Sequence, residues 1–385
     1  MRILMVHNHY QLKGGEDAVM AEEYSLLRSH DMDVQLYNQS NKQINEMPRL
    51  RVAMDTVWSR QTMAEMSARI EAFKPDVIHA HNTFPLISPS LYFAAAKYQV
   101  PLVQTLHNFR LFCAQAMFMR NGSVCEDCLG HLPWRGVVRR CYRESMTQSA
   151  VVVGMQGIHR MLGSYQNKVT RYIALNQFCR DKFIEAGLPG DRIAIKPNFV
   201  DIPAADSDQP RSGALFVGRL APEKGVNILA EAAALHEHAQ IDIVGTGPLQ
   251  TELEGVKGVN VLGWHTPEQI YERMSRAAYL VMPSVWYENF PRTLVEAFAC
   301  SLPVIASRLG AMAELVRDGE TGLLFDPGNP GDLAAKMRWA NGHAEEMRRM
   351  GRNARQEYEV RYTSDTNFKQ LMAIYQDAIA TRVAE

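Results

Sequence analysis

Residues 284–307, SVWYENFPRTLVEAFACSLPVIAS, carry two carboxylates eight positions apart, Glu288 and Glu296. Glu296 stands among Leu294, Val295, Ala297 and Phe298, which read as a buried apolar helix. An unpaired carboxylate is costly there, so a partner is expected. Pro291 suits the first turn of that helix, which puts Glu288 in the loop just before it and Glu296 inside it. The free N–H groups of such a first turn, with the helix dipole, form a site for an anion. Upstream, Arg219 and Lys224 flank the loop GRLAPEKG, which leads into a helix near Gly225. Two cations at a helix N-terminus suit a pyrophosphate. His107 follows an apolar run at 101–106, and a histidine just past the carboxyl end of a parallel strand lies at the ligand edge. His79 and His81 read as ordinary, satisfied polar residues.

Positioning these groups takes strands. Short apolar runs at 2–7, 34–37, 77–80, 101–106, 170–175 and 192–195, and again at 214–217, 240–244, 259–262, 279–282 and 303–306, alternate with helical patterns. That alternation predicts an α/β protein with parallel sheets, whose ligands sit at the carboxyl edge. Helices are expected at 16–28, after Gly14 and Gly15 in a loop, and continuously across 54–73. The polar stretch AADSDQPRSG, residues 204–213, reads as a linker between domains at 1–198 and 199–365.

The chain has 385 residues, enough for two domains, and its 46% hydrophobic and 22% charged residues describe a soluble globular protein. Lysine and arginine number 41 against 42 acids, so bulk charge favours neither nucleic acid nor membrane. The start, MRILMV, passes into a folded pattern without a cleavage region, and no apolar run is long enough to span a bilayer. Six cysteines do not make a dense disulfide scaffold. The expected location is cytoplasmic.

Three features have more than one reading. Asp31 and Asp33 form a D-x-D pair that suits a metal, or a turn before a strand; the turn is preferred, and no metal ligand is assigned for catalysis. Cys113, Cys125, Cys128 and Cys141 are spaced C-x11-C-x2-C-x12-C and resemble a zinc knuckle, with free cytosolic thiols as the simpler reading. Arg135, Arg139, Arg140 and Arg143, with Trp134 and Tyr142 among them, form either a solvated face or a surface for an anionic acceptor or an anionic membrane.

The Glu288–Glu296 spacing and the motif GRL-x2-EKG at 218–225 resemble the signature of retaining glycosyltransferase family 4, of the bacterial surface-polysaccharide type. The likeness continues through Gly310, Glu314 and residues 319–325 and covers nearly the whole chain. It implies the GT-B fold: two facing Rossmann-like domains, parallel sheets, a deep interdomain cleft, and a last helix at about 366–385 packing back on the first domain. It also implies a retaining hexosyltransferase that uses a UDP- or GDP-linked sugar and a glycan or lipid-linked acceptor, in surface-polysaccharide synthesis, with peripheral contact at the inner membrane face. Arg219 and Lys224 would stabilise the departing diphosphate without a metal. Glu296 would accept the ribose hydroxyls, Glu288 those of the sugar, and His107 would lie beside the transferred sugar. Gly15 would face the donor phosphate or the acceptor. Family members usually carry glycine where this chain has Asn289, Pro291 and Ser301. Pro291 cannot donate an N–H, so donor contacts would come from Asn289, Phe290, Thr293 and Leu294. A nucleotide-sugar epimerase, a phosphorylase and a non-catalytic nucleotide-sugar-binding subunit are the alternatives on the same scaffold.

Overall fold

A computed structural model describes residues 1–11, 14–202 and 211–384, with side chains through residue 381. Most of the linker read at 204–213 lies outside the described residues. The chain divides into two units: 1–118, 125–197 and 367–385 form the first, and 119–124 with 198–366 the second.

The first unit holds β1 (Arg2–His9), β2 (Asp33–Ser40), β3 (Val77–Ala80) and β4 (Leu102–Thr105). A short antiparallel hairpin of β5 (Met119–Arg120) and β6 (Ser123–Val124) comes next in the chain. Two more strands of the first sheet, β7 (Arg171–Ala174) and β8 (Ile193–Ile195), follow. The second unit holds β9 (Ala214–Val217), β10 (Ile241–Val244), β11 (Val259–Gly263), β12 (Tyr279–Met282), β13 (Val304–Ser307) and β14 (Gly322–Phe325). Each sheet has six strands, in the orders β2-β1-β3-β4-β7-β8 and β11-β10-β9-β12-β13-β14. All pairs within them are parallel.

Runs such as VIHA, LVQT, YLVM and VIAS are buried at every position because helices cover both faces of a parallel sheet. On one face of the second sheet, Leu280 and Val304 pack with Leu294 and Phe298; on the other, Phe216 and Ile305 pack with Leu229 and Leu333. In the first unit, Ile3, Met5, Val103 and Ile173 share a core with Leu371, Tyr375 and Ala378 of the last helix, Ser364–Ala384. Both strand orders reverse direction once, between β1 and β3 and between β9 and β12. A crevice opens at such a switch point, beyond the carboxyl ends of the strands.

Some local expectations change. Instead of one helix across 54–73 there are two, Arg49–Val57 and Arg60–Phe73. The Ser59 hydroxyl accepts from the Thr62 N–H (3.2 Å), and that cap starts a new helix where periodicity alone reads straight through. Gly15 is the first residue of helix Gly15–Ser29 and not part of a loop. Asp31, at φ +58°, turns the chain into β2, which Asp33 opens, so the D-x-D pair serves a turn.

Candidate active site

In the second unit β9 leads into a single 3-10 turn, Pro222–Lys224, and then through Gly225 into helix Val226–Ala234. Gly225 is left-handed (φ +67°), and a Cβ there would lie 1.9 Å from the Pro283 carbonyl oxygen. Glycine thereby lets the loop after β9 close on the loop after β12. The Val285 N–H donates to the Glu223 carbonyl across the same seam (3.0 Å). The closure brings Lys224 Nζ within 2.6 Å of Glu288 Oε1. Ser284 Oγ (2.8 Å) and Trp286 Nε1 (3.0 Å) donate to that same oxygen. Glu288 is only 5% exposed, so the three donors supply the partners that burial demands. The Lys224 ammonium also lies 5.4 Å from the centre of the Trp286 ring. Arg219 is exposed and donates to Glu223. Each of the two expected diphosphate cations is therefore already held by a carboxylate.

Pro291 caps helix Arg292–Ala299. Glu296 is half-buried, and its Oε1 accepts from Arg292 Nε at 2.9 Å, one turn earlier. The expected deep burial is corrected by helix geometry: a residue shares its face with positions three and four away, here Arg292, Thr293, Ala299 and Cys300, not with its immediate neighbours. The Leu294 N–H is bonded to the Pro291 carbonyl (2.9 Å) and is not available to an anion in this arrangement. Asn289 is buried, Thr293 half-buried, and Phe290 packs its ring 6.2 Å from that of Tyr362.

The switch point of the first unit is lined by imidazoles. His7 Nε2 and His9 Nδ1 lie 2.9 and 3.0 Å from Asp17 Oδ1, while Asp17 Oδ2 accepts from the Gly14 N–H (3.0 Å). Three candidate ligand atoms thus lie within 4.8 Å of one another. A ligating histidine ordinarily donates its other N–H to a second partner, and His7 Nδ1 is buried with no hydrogen-bond partner, so the group reads as a hydrogen-bonded set. Tyr10 OH donates to Glu16 Oε2 (2.6 Å), and burial pushes the Glu16 carboxyl up to about 7, with the neighbouring Asp17 charge adding to the shift. Gly15 has nothing within 4 Å of where a Cβ would stand, so packing does not require glycine there.

His107 stands just past β4, with its Nε2 2.9 Å from His81 Nδ1 and the two rings stacked at 5.2 Å. Burial holds both imidazoles well below their ordinary range, helped by neighbouring rings and Lys196. His79 is satisfied on both sides, Nδ1 by Tyr375 OH (2.7 Å) and Nε2 by Thr105 Oγ1 (2.8 Å), and burial lowers it to about 4. His81 departs from its expected background role, because it is the partner of His107. Beneath it lies a fully buried ion pair of Glu23 and Lys196, which no sequence motif marks. A signal was present: Val19, Met20, Leu26 and Leu27, three and four residues from Glu23, are all apolar.

The zinc expectation is not supported. None of the four cysteines is in a disulfide, all are half-buried, and no three of their sulfurs converge within 4.8 Å among the described residues. Four thiolates around zinc at about 2.3 Å must nearly touch one another, which the C-x2-C spacing alone does not impose. Cys128 is instead pushed up to about 11, by burial and then by its cysteine neighbours, which disfavours the thiolate.

Residues 28–203 match the family model described as Glycosyltransferase Family 4, and residues 201–357 that described as Glycosyl transferases group 1. The chain belongs to the glycosyltransferases of the family-4 type. It is 34% identical over 148 residues to an uncharacterized glycosyltransferase of Methanocaldococcus jannaschii, covering 37% of this chain and 42% of the relative. It is 27% identical over 293 residues to a D-inositol 3-phosphate glycosyltransferase of Mycolicibacterium vanbaalenii, covering 68% of this chain and 58% of the relative. The chain thus spans about half the length of these curated relatives. Anabaena HepE, crystallised in complex with UDP, has a similar fold at 19% identity, with a TM-score of 0.66 over 97% of this chain and 99% of its own. With the two six-stranded parallel sheets, that likeness defines the fold as α/β of the GT-B type.

Proposed function

We propose that the protein is a retaining, metal-independent hexosyltransferase that takes its sugar from a nucleoside diphosphate and delivers it to a glycan or lipid-linked acceptor. The observation that carries this reading is the Lys224–Glu288 pair at the β9/β12 switch point, a cation and a hydrogen-bond acceptor side by side where such a fold takes its ligand. Cleavage at the anomeric carbon builds negative charge on the diphosphate, which Lys224 and Arg219 would meet; positive charge builds on the sugar ring, beside Glu288. Three donors share Glu288 Oε1, so Oε2 is the oxygen a sugar hydroxyl would meet. Glu296 would take the ribose. Asn289, Phe290 and Thr293 would line the donor site. Within the first unit, Gly15 and His107 would keep the roles that the family resemblance implies for them. HepE, whose structures hold UDP and UDP-glucose, favours a UDP-linked donor, with a GDP-linked one as the alternative.

The acceptor would bind the first unit. A cavity of about 830 Å³ there is lined by Ile44, Met47, Leu50, Val151 and Val152, with Arg49 and Arg143 also on its walls. An amphiphile with an anionic head suits that combination. Trp134 and Val138 are exposed beside Arg135 and Arg140, a surface fit for an anionic membrane in surface-polysaccharide synthesis. No helix among the described residues is long and apolar enough to cross a membrane.

The test is release of nucleoside diphosphate from a panel of UDP- and GDP-sugars, with and without a polyprenyl-phosphate-linked sugar, in the presence of a chelator. Acceptor-dependent release with the product anomer matching the donor's supports the reading. Free epimer without acceptor, dependence on inorganic phosphate, or an absolute need for magnesium or manganese overturns it.

A further inference from the structure

The chain of buried groups behind His107 constrains which of its nitrogens carries the proton. His81 Nε2 and Glu23 Oε2 are both buried, neither has a hydrogen-bond partner among the described residues, and they face each other at 3.5 Å. A bare imidazole nitrogen would set its lone pair against the carboxylate, whereas an N–H there is attracted to it. Glu23 is anchored by Lys196 through its other oxygen, and Lys196 also donates to Asn367 Oδ1 (3.2 Å). His79 cannot take over that position, because Tyr375 and Thr105 hold both its nitrogens.

His81 therefore carries its proton on Nε2 and offers Nδ1 as an acceptor. Among the described residues, the group placed to donate to it is His107 Nε2, at 2.9 Å. A neutral imidazole has one N–H, so His107 Nδ1 is left bare, and it makes no other hydrogen bond among the described residues. We propose that Glu23 and His81 are positioning residues that hold His107 as the Nε2–H tautomer, so that its Nδ1 accepts a hydrogen bond from a hydroxyl of the bound ligand. Burial, which keeps His81 and His107 from charging at neutral pH, acts in the same direction. His107 then favours a hydroxyl donor and cannot bind a phosphate oxygen through Nδ1. That the hydroxyl belongs to a sugar rests on the function proposed above; the tautomer does not.

The full chain labelled with 15N-histidine, read by long-range proton–nitrogen correlation at pH 7 without ligand, gives the tautomer directly. His107 is assigned by the signals missing in His107→Gln. A bare Nδ1 and protonated Nε2 are expected, and a proton on Nδ1, or on both nitrogens, overturns the proposal. His81→Gln and His81→Leu then separate positioning from packing, since glutamine offers both a donor and an acceptor and leucine neither. With both variants folded, as judged by melting, turnover should fall about tenfold in His81→Leu, the size of one lost hydrogen bond, and largely return in His81→Gln. Equal losses in both make His81 a packing residue and overturn its role. Absence of transfer in the native protein would count against the proposed function, while the spectrum still decides the tautomer.

Discussion

The two switch points use opposite electrostatics. At β9/β12 the side chains are charged and partly reachable by solvent: Lys224 is 25% and Arg219 64% exposed, each paired with a carboxylate. At β1/β3 His7, His79 and His81 are buried and held below their ordinary range, and the Glu23–Lys196 ion pair lies beneath them with no exposure. Mobile charge near water can be handed to an incoming anion, while a sealed ion pair cannot and serves to hold neighbours in place. One edge is suited to binding charge and the other to orienting hydrogen bonds.

Charge removal should break this contrast most sharply. Lys196→Met leaves Glu23 buried and unpaired and should cost about 3–5 kcal/mol of stability, while a Glu23→Leu/Lys196→Met double variant recovers most of it. Denaturant melts decide, and an unchanged single variant would show that the pair anchors nothing. At the other edge, Lys224→Ala should cost less stability, because Ser284 and Trp286 still donate to Glu288, and raise the barrier to transfer by about 3 kcal/mol. Full turnover at saturating donor would remove Lys224 from the chemistry.

Glu288→Gln should lower turnover more than it raises the donor constant, because a neutral amide stabilises the charge on the ring less well. A change confined to the donor constant would reduce Glu288 to a binding group.

The pH dependence tests the first unit. The folded-state pKa values of His7, His79, His81 and His107 lie below the ordinary value of 6.5, so their neutral burial favours the fold above that pH. That stability is lost as pH falls from about 6.5, through about 4 for His79. Glu16 has the opposite sign: raised from 4.5 to about 7, it takes up a proton in the folded state first and stabilises the fold as pH falls across that window. Glu16→Gln should therefore steepen the loss of melting temperature between pH 7 and 5. A shallower slope would show that the carboxyl is not held neutral.

The smallest effect is expected at Glu296, whose partly buried pair with Arg292 spans one helical turn and is worth about 0.3–0.5 kcal/mol. Glu296→Gln should melt almost normally and weaken nucleoside diphosphate binding. Normal nucleotide affinity would end its assignment to the ribose.

Sequence alone was enough for the alternation of strand and helix, for β9 and β12 residue by residue, and for the loops that carry Arg219, Lys224 and Glu288. Those features are local: period, turn residues and strand ends are written in neighbouring positions. Partners were not legible in the same way. Glu296 looked buried from residues beside it in the chain, and Glu23, 173 positions from Lys196, did not look paired at all. Which imidazole meets His107 likewise follows from β3 lying beside β4 in the sheet. Burial and pairing depend on what other segments bring to a face, and only the folded chain decides that, because a side chain's neighbours in space are set by packing between elements and not by its neighbours in sequence.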